Sequence, residues 1–265
     1  MLMNKILSKI RFIFGISFLI SSVFVYFAIF SLMKLVNIRS FKLKHYLIKI
    51  FAHSVLIICG IKINIHDKSG VIKAKTDDYF IFAVNHTSFF DHIITFRVIP
   101  VFFRVVALDM IYNFPIFGFI IKEIGGLKAV RSFSKVELDE NIDYITAALK
   151  EASILIYPEG RFSKDGKLLE FRRGMGEIAK KSGKAVVPVI IQAANKLLPP
   201  PPYKVVGKGI WFFSYALFWI GHMILGYEPR EVNVYLGEAT KIQADESIEA
   251  FSLKIRGQFL AVLGE

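Results

Sequence analysis

Two long uncharged runs, with short apolar stretches between them, set the layout of the chain. Residues 12–33 hold 22 consecutive positions without a charge. As a helix they reach about 33 Å, enough to cross a hydrocarbon core. Lys5, Lys9 and Arg11 precede this run, and Lys34, Arg39, Lys42 and Lys44 follow it, so basic flanks on both sides give no orientation. The run is too long for a cleaved signal peptide, and no A-x-A site follows it. A second apolar helix is predicted over residues 46–61, with Lys49 and His53 one turn apart. That pattern suits a helix lying at an interface or returning to the same face. Residues 1–61 therefore predict a two-helix membrane anchor with both ends cytoplasmic.

From residue 62 the period shortens. Strands are predicted at 62–66, 79–84, 102–108, 154–157, 185–191 and 232–236. Helices are predicted from the end of the 85–91 segment to about residue 98, and over 135–151, 174–182 and 248–263. Pro188 inside its strand predicts an edge or a bulge. This alternation implies an α/β layered domain over residues 62–265, a mixed sheet flanked by helices.

The second long run, 209–227, has 19 uncharged residues including Trp211 and Trp219, and it enters through Pro199-Pro200-Pro201-Pro202. If it crossed the bilayer, the last strand and helix would be parted from their sheet. An interfacial or re-entrant helix is predicted instead, with its tryptophans in the headgroup layer. His222 within it is read as a polar-side residue, not a ligand.

Composition adds a partner class. Of the 265 residues 54% are hydrophobic, more than an ordinary soluble domain carries, yet the net charge is +12. Apolar and basic together point to an anionic membrane surface or an acidic partner. No nucleic-acid module is present to use that charge. The single cysteine, Cys59, allows no internal disulfide and is read as a small buried hydrophobe.

The chemistry concentrates at Asn85-His86-Thr87-Ser88-Phe89-Phe90-Asp91, directly after the apolar run Tyr79-Phe80-Ile81-Phe82-Ala83-Val84. A histidine and an aspartate thus stand beyond a strand's carboxyl end, where open α/β sheets place their ligands. An imidazole oriented by a carboxylate can take a proton from a hydroxyl near neutral pH. No nucleophile elbow accompanies it, so the base would act on a hydroxyl of the substrate. The same residues also fit a strand end with a loop histidine and a helix-capping aspartate.

Four blocks in order resemble the 1-acyl-sn-glycerol-3-phosphate acyltransferase (PlsC-like) family over about residues 60–240. Asn85-His86 through Asp91 is similar to its N-H-x-x-x-x-D. Phe114-Pro115-Ile116-Phe117-Gly118 with Gly125-Gly126 and Arg131 is similar to its second block. Tyr157-Pro158-Glu159-Gly160, followed by Ser163 and Phe171-Arg172-Arg173-Gly174, is similar to its F-P-E-G block, and Val186-Val187-Pro188-Val189 to its fourth.

The resemblance implies a glycerol-3-phosphate acyltransferase-like fold. It also implies transfer of an acyl chain from acyl-ACP or acyl-CoA to a lysophospholipid hydroxyl in phospholipid biosynthesis, without metal, cofactor or covalent intermediate. By that resemblance His86 is the general base, Asp91 orients it, and Glu159, Gly160, Arg161 and Ser163 bind the acceptor. Arg131 would take the acceptor's phosphate, as guanidinium groups do bidentately. The catalytic domain would face the cytoplasm from the inner or plasma membrane.

Two departures stand out. Where the family continues E-G with Thr-Arg-Ser, this chain has Arg161-Phe162-Ser163, and Val130 replaces the usual acidic residue before Arg131. The first favours an acceptor other than glycerol phosphate, a lyso-aminolipid or glycolipid. A non-catalytic lipid-binding protein and a hydrolase in which His86 activates water are the readings from other classes.

Overall fold

The computed structural model describes residues 2–71, 78–130, 134–163, 165–197 and 231–265. Arg131 and the apolar run 209–227 lie outside them. In chain order the elements are α1 (Leu2–Leu35), α2 (Phe41–Cys59), β1 (Lys62–Asp67), β2 (Ile81–Val84), α3 (Phe90–Val98) and β3 (Phe103–Leu108). A 3-10 turn (Asp109–Asn113) leads to α4 (Pro115–Glu123), β4 (Leu127–Ala129), α5 (Lys135–Ala148) and β5 (Ser153–Ile156). Then come α6 (Gly174–Ser182), β6 (Val186–Gln192), a 3-10 turn (Ala194–Lys196), β7 (Glu231–Leu236) and α7 (Ile248–Leu263).

The strands make one mixed sheet in the order β1-β7-β6-β2-β5-β3-β4. Strands β6, β2, β5, β3 and β4 run parallel to their neighbours, whereas β7 is antiparallel to β6 and parallel to β1. All four residues of β2 are buried, as a central strand covered on both faces requires. Phe82 and Val84 face a core built with α1, α2 and α3. Ile81 and Ala83 face a second core with α5, α6 and α7. The result is a three-layer α/β sandwich.

Of the two places expected for Pro188, an edge or a bulge, the structure fits the second. Its strand, β6, is interior, between β2 and β7. The antiparallel ladder breaks there, because Val189 pairs with Leu236 while Val186 pairs with Thr240. Gly237 N donates to Pro188 O at 2.8 Å, so the carbonyl is used where the missing N–H cannot be.

Helices α1 and α2 form an antiparallel hairpin. Arg11 donates to the carbonyls of Ile57 and Ile58 at 2.6 and 3.1 Å, and Tyr26 Oη donates to Leu47 O at 2.9 Å. A Cβ on Gly15 would stand 2.2 Å from Cys59 Sγ, so only glycine admits this approach. Cys59 is buried there.

Helix α2 begins at Phe41, earlier than its apolar pattern, because Ser40 caps it through Leu43 N at 3.2 Å and its first turns bury Lys44 and His45. Lys44 pairs with Glu123 of α4, which Lys34 also approaches at 3.8 Å. Helix α1 meets the domain near both ends, through Phe12 on Phe90 and Phe27 on Phe119, and so lies along it.

Among the described residues α1 alone is long and apolar enough to cross a membrane, over Lys9–Leu35. It exposes Phe14, Ile20, Phe24 and Leu32. By contrast α2 buries one face, including Ile48, Phe51 and Val55, in the core it shares with β2 and α3.

Removing one partner of a buried ion pair strands the other charge. Glu123→Leu is expected to cost about 3 kcal/mol, seen as a lowered Tm, and adding Lys44→Met to restore most of it. An unchanged Tm in the single variant would mean that the pair does not secure the hairpin.

Candidate active site

The site forms where the parallel strands β2 and β5 end. Past Val84, Asn85 extends the sheet with its side chain: Nδ2 donates to Ile191 O at 3.0 Å and Oδ1 accepts from Ile191 N at 2.8 Å. The main chain is thereby released from the ladder, and His86 turns into the space beyond the sheet. Both backbone groups of His86 are held. Its N–H donates to Glu159 Oε1 at 2.8 Å, and its carbonyl accepts from Ser163 N at 2.7 Å.

Asp91 stands in the first turn of α3. Its Oδ2 lies 3.0 Å from His86 Nδ1 and accepts from Thr87 N at 2.7 Å and Ser88 N at 2.8 Å. Five residues thus wrap around one carboxylate, at a helix end that favours negative charge. With the proton of the neutral ring on Nδ1 facing the carboxylate, Nε2 carries the lone pair a general base needs.

Two aromatic rings enclose the imidazole. Tyr157 stacks on one face with centroids 3.9 Å apart, and Phe162 on the other at 3.6 Å. Phe162 leans on Phe89 at 4.8 Å. Tyr157 Oη is 2.8 Å from His92 Nδ1, and the His92 ring lies 5.4 Å from that of His86. His86 is left 8% exposed.

Burial holds the His86 imidazole well below its ordinary pKa, so it is neutral at pH 7. Burial also raises Asp91, against the pull of the Ser88 and Thr87 amides. His92 is lowered by burial and by His86 beside it.

The expected site residues separate into three groups. His86, Asp91, Glu159 and Ser163 come together, all buried. Gly160 (φ 65°) makes the turn beside them, and a Cβ there would meet the Arg172 side chain at 2.6 Å. Arg172 thus lies across the Pro-Glu-Gly turn, whereas Arg173 pairs with Glu177 and Glu249 on the surface. Arg161 is exposed at the rim.

Both oxygens of Glu159 are engaged, the second by Leu169 N at 2.9 Å, so in this structure its carboxylate ties three chain segments together. Ser163 likewise takes part through its N–H, while its hydroxyl donates to Asp165 at 3.1 Å. Sequence reasoning assigned no role in the site to Asn85, Tyr157 or Phe162. The His92 ring, held by Tyr157, also lies within the site. The Arg161-Phe162 departure was the one signal that pointed here. Among the described residues no His, Cys, Asp or Glu cluster could hold a metal ion.

The acyltransferase family model matches residues 62–192, the span that builds this site. The chain belongs to the acyltransferase family. Its relatives include the chloroplastic 1-acyl-sn-glycerol-3-phosphate acyltransferase LPAT1 of Arabidopsis thaliana, 29% identical over 63% of this chain and 46% of that protein. The chloroplastic BAT2 enzyme of Brassica napus is 27% identical, over 63% of this chain and 48% of that one. The chain thus spans about half the length of these curated relatives.

A crystal structure of the 1-acyl-sn-glycerophosphate acyltransferase PlsC from Thermotoga maritima superposes with a TM-score of 0.68. It covers 98% of this chain and 95% of that one at 20% identity, and so shares its fold.

Glu159 gives this acyltransferase-family chain a pH signature. Burial pushes its carboxyl up from 4.5 to about 7, against the Leu169 and His86 amides, with the Asp91 charge adding to the rise. A carboxyl with a raised folded-state pKa binds its proton more tightly when folded. Its stabilisation is therefore full at low pH and lost as pH climbs through about 7. Glu159→Gln is expected to flatten the fall in Tm between about pH 5 and pH 8. A slope equal to that of the parent protein would remove Glu159 as its source.

Proposed function

We propose that this protein transfers a fatty acyl chain from an acyl-thioester, acyl-CoA or acyl-ACP, to the free hydroxyl of a lysophospholipid. The acceptor we assign is 1-acylglycerol-3-phosphate, giving phosphatidic acid. The observation that carries this reading is the buried, neutral His86 with Nδ1 fixed on Asp91, at the carboxyl end of a parallel strand.

The acceptor O–H gives its proton to Nε2 as its oxygen attacks the thioester carbonyl carbon. The C–S bond then breaks, and the imidazolium returns the proton to the leaving thiolate. Asp91 stabilises the imidazolium in between. A thioester is activated enough for direct attack, so no covalent enzyme intermediate is needed. Arg131 and the rim residue Arg161 take the acceptor phosphate, while Glu159, Gly160 and Ser163 shape the turn on the acceptor's side.

The exposed apolar side of α1 supports lipid contact, with the catalytic domain on the cytoplasmic face and the +12 charge drawing in an anionic donor. One observation favours a second reading, a lyso-aminolipid or glycolipid acceptor: Phe162 occupies the base's outer face, and the only arginine of that turn points to the rim.

The test is acyl transfer by purified protein from labelled acyl-CoA and acyl-ACP to a panel of lyso-lipids. His86→Ala is expected to lose about 10³-fold or more, and Asp91→Asn at least about 10²-fold. Because burial keeps His86 unprotonated and raises Asp91 to about 7, the acid limb of kcat/KM should reflect protonation of Asp91 near pH 7 and not that of the imidazole. Transfer to lysophosphatidic acid supports the first reading and transfer only to another lyso-lipid the second; full activity in His86→Ala would sink both.

A further inference from the structure

A base that can deprotonate a lipid hydroxyl can also deprotonate water, which is present at far higher concentration. With a thioester in the site, that reaction is hydrolysis. Water's oxygen attacks the carbonyl carbon, its proton passes through His86 to the thiolate, and a free fatty acid leaves. An acyltransferase without a covalent intermediate must therefore keep bulk water from its base.

The rings around His86 divide the ways in. Asp91 occupies Nδ1. Tyr157 covers the inner face and is itself held through His92 at 2.8 Å. The outer face is covered by Phe162, half-buried, its ring 3.6 Å from the imidazole and resting on Phe89. The next residue pins this cover, since Ser163 is fully buried and its N–H is bonded to the carbonyl of His86 at 2.7 Å. In the Arg161-Phe162 pair the cation is sent to the rim and the ring onto the base. With Nδ1 on Asp91, the ring edge carrying Nε2 lies between two aromatic walls that suit an acceptor with an apolar body.

We propose that Phe162 is a specificity-determining residue: by covering the outer face of His86 it keeps the base from water and so favours acyl transfer over thioester hydrolysis. The inference rests on the acyltransferase reading above. Phe162 itself takes no part in proton transfer.

The experiment measures two rates in the full-length protein with acyl-CoA: thiol release without acceptor, and acyl transfer to lysophosphatidic acid. In Phe162→Ala the ratio of hydrolysis to transfer is expected to rise at least about 10-fold. In Phe162→Tyr, which keeps a ring, it should remain near the parent value. A solvated imidazole also regains pKa, so His86 should add its own protonation to the acid limb of transfer in the alanine variant. The groups facing that imidazole are Asp91 and His92 from α3, and Tyr157 and Glu159 from the end of β5.

An unchanged ratio in a transfer-competent protein would overturn the inference and leave the acyltransferase reading standing. Both rates falling in equal proportion at unchanged Tm would also overturn it, by making Phe162 a positioning residue only. If Phe162→Ala does not fold, Phe162→Leu decides, with an intermediate ratio expected and the parent ratio overturning. Absence of transfer to any lyso-lipid in the parent protein would defeat the underlying reading instead.

Discussion

A carboxylate taken out of water must be given donors, and the loop from His86 to Asp91 is shaped by that demand. Asp91 has no exposed surface, and its Oδ2 gathers the amides of Thr87 and Ser88 along with the imidazole of His86. Satisfying Oδ2 fixes the turn, and the turn fixes where the ring points, while Oδ1 is buried with no hydrogen-bond partner among the described residues. The arrangement is self-consistent electrostatically. Burial keeps the imidazole unprotonated, while the neighbouring amides offset part of the burial cost of the aspartate.

The same rule extends outward. The N–H and C=O of His86 are satisfied by Glu159 and by the backbone of Ser163, so the strand end carrying His86 and the turn after β5 are one hydrogen-bonded unit. Asn85 closes the third side by imitating a strand partner for Ile191. Three parallel strands, β2, β5 and β6, are thereby joined just past their carboxyl ends, where an α/β sheet has no ladder left to offer.

The share of this legible in sequence follows from range. His86 and Asp91 lie five residues apart across a strand end and one helical turn, so a local pattern carries their pairing. Helices α6 and α7 were readable at their full bounds because periodicity and turn residues agree there. Helix α2 was read too late because its buried face includes Lys44 and His45, whose burial depends on Glu123 and on Phe96, Phe102 and Phe103 far along the chain. Strand β4 is too short to show a period, and residues 115–121 of helix α4 carry no polar side chain to mark one. Tyr157 and His92 are 65 residues apart, and the enclosure of His86 by Tyr157 and Phe162 exists only once β2 and β5 are paired. Pro188 left an edge and a bulge open, because only the pairing of β6 with both β2 and β7 decides between them.

The stacking of Phe12 on Phe90 at 6.1 Å has a consequence for how this molecule can be divided. Phe12 belongs to the long apolar helix, and Phe90 is the residue directly before Asp91. Cutting away the helix would not free a self-sufficient catalytic half. It would bare Phe90 to water at the very turn that aims His86, and leave the buried faces of α2 and α3 without their cover. The long apolar helix and the His86–Asp91 pair are therefore inseparable as pieces of architecture: the helix with an exposed apolar side also backs the turn that holds His86.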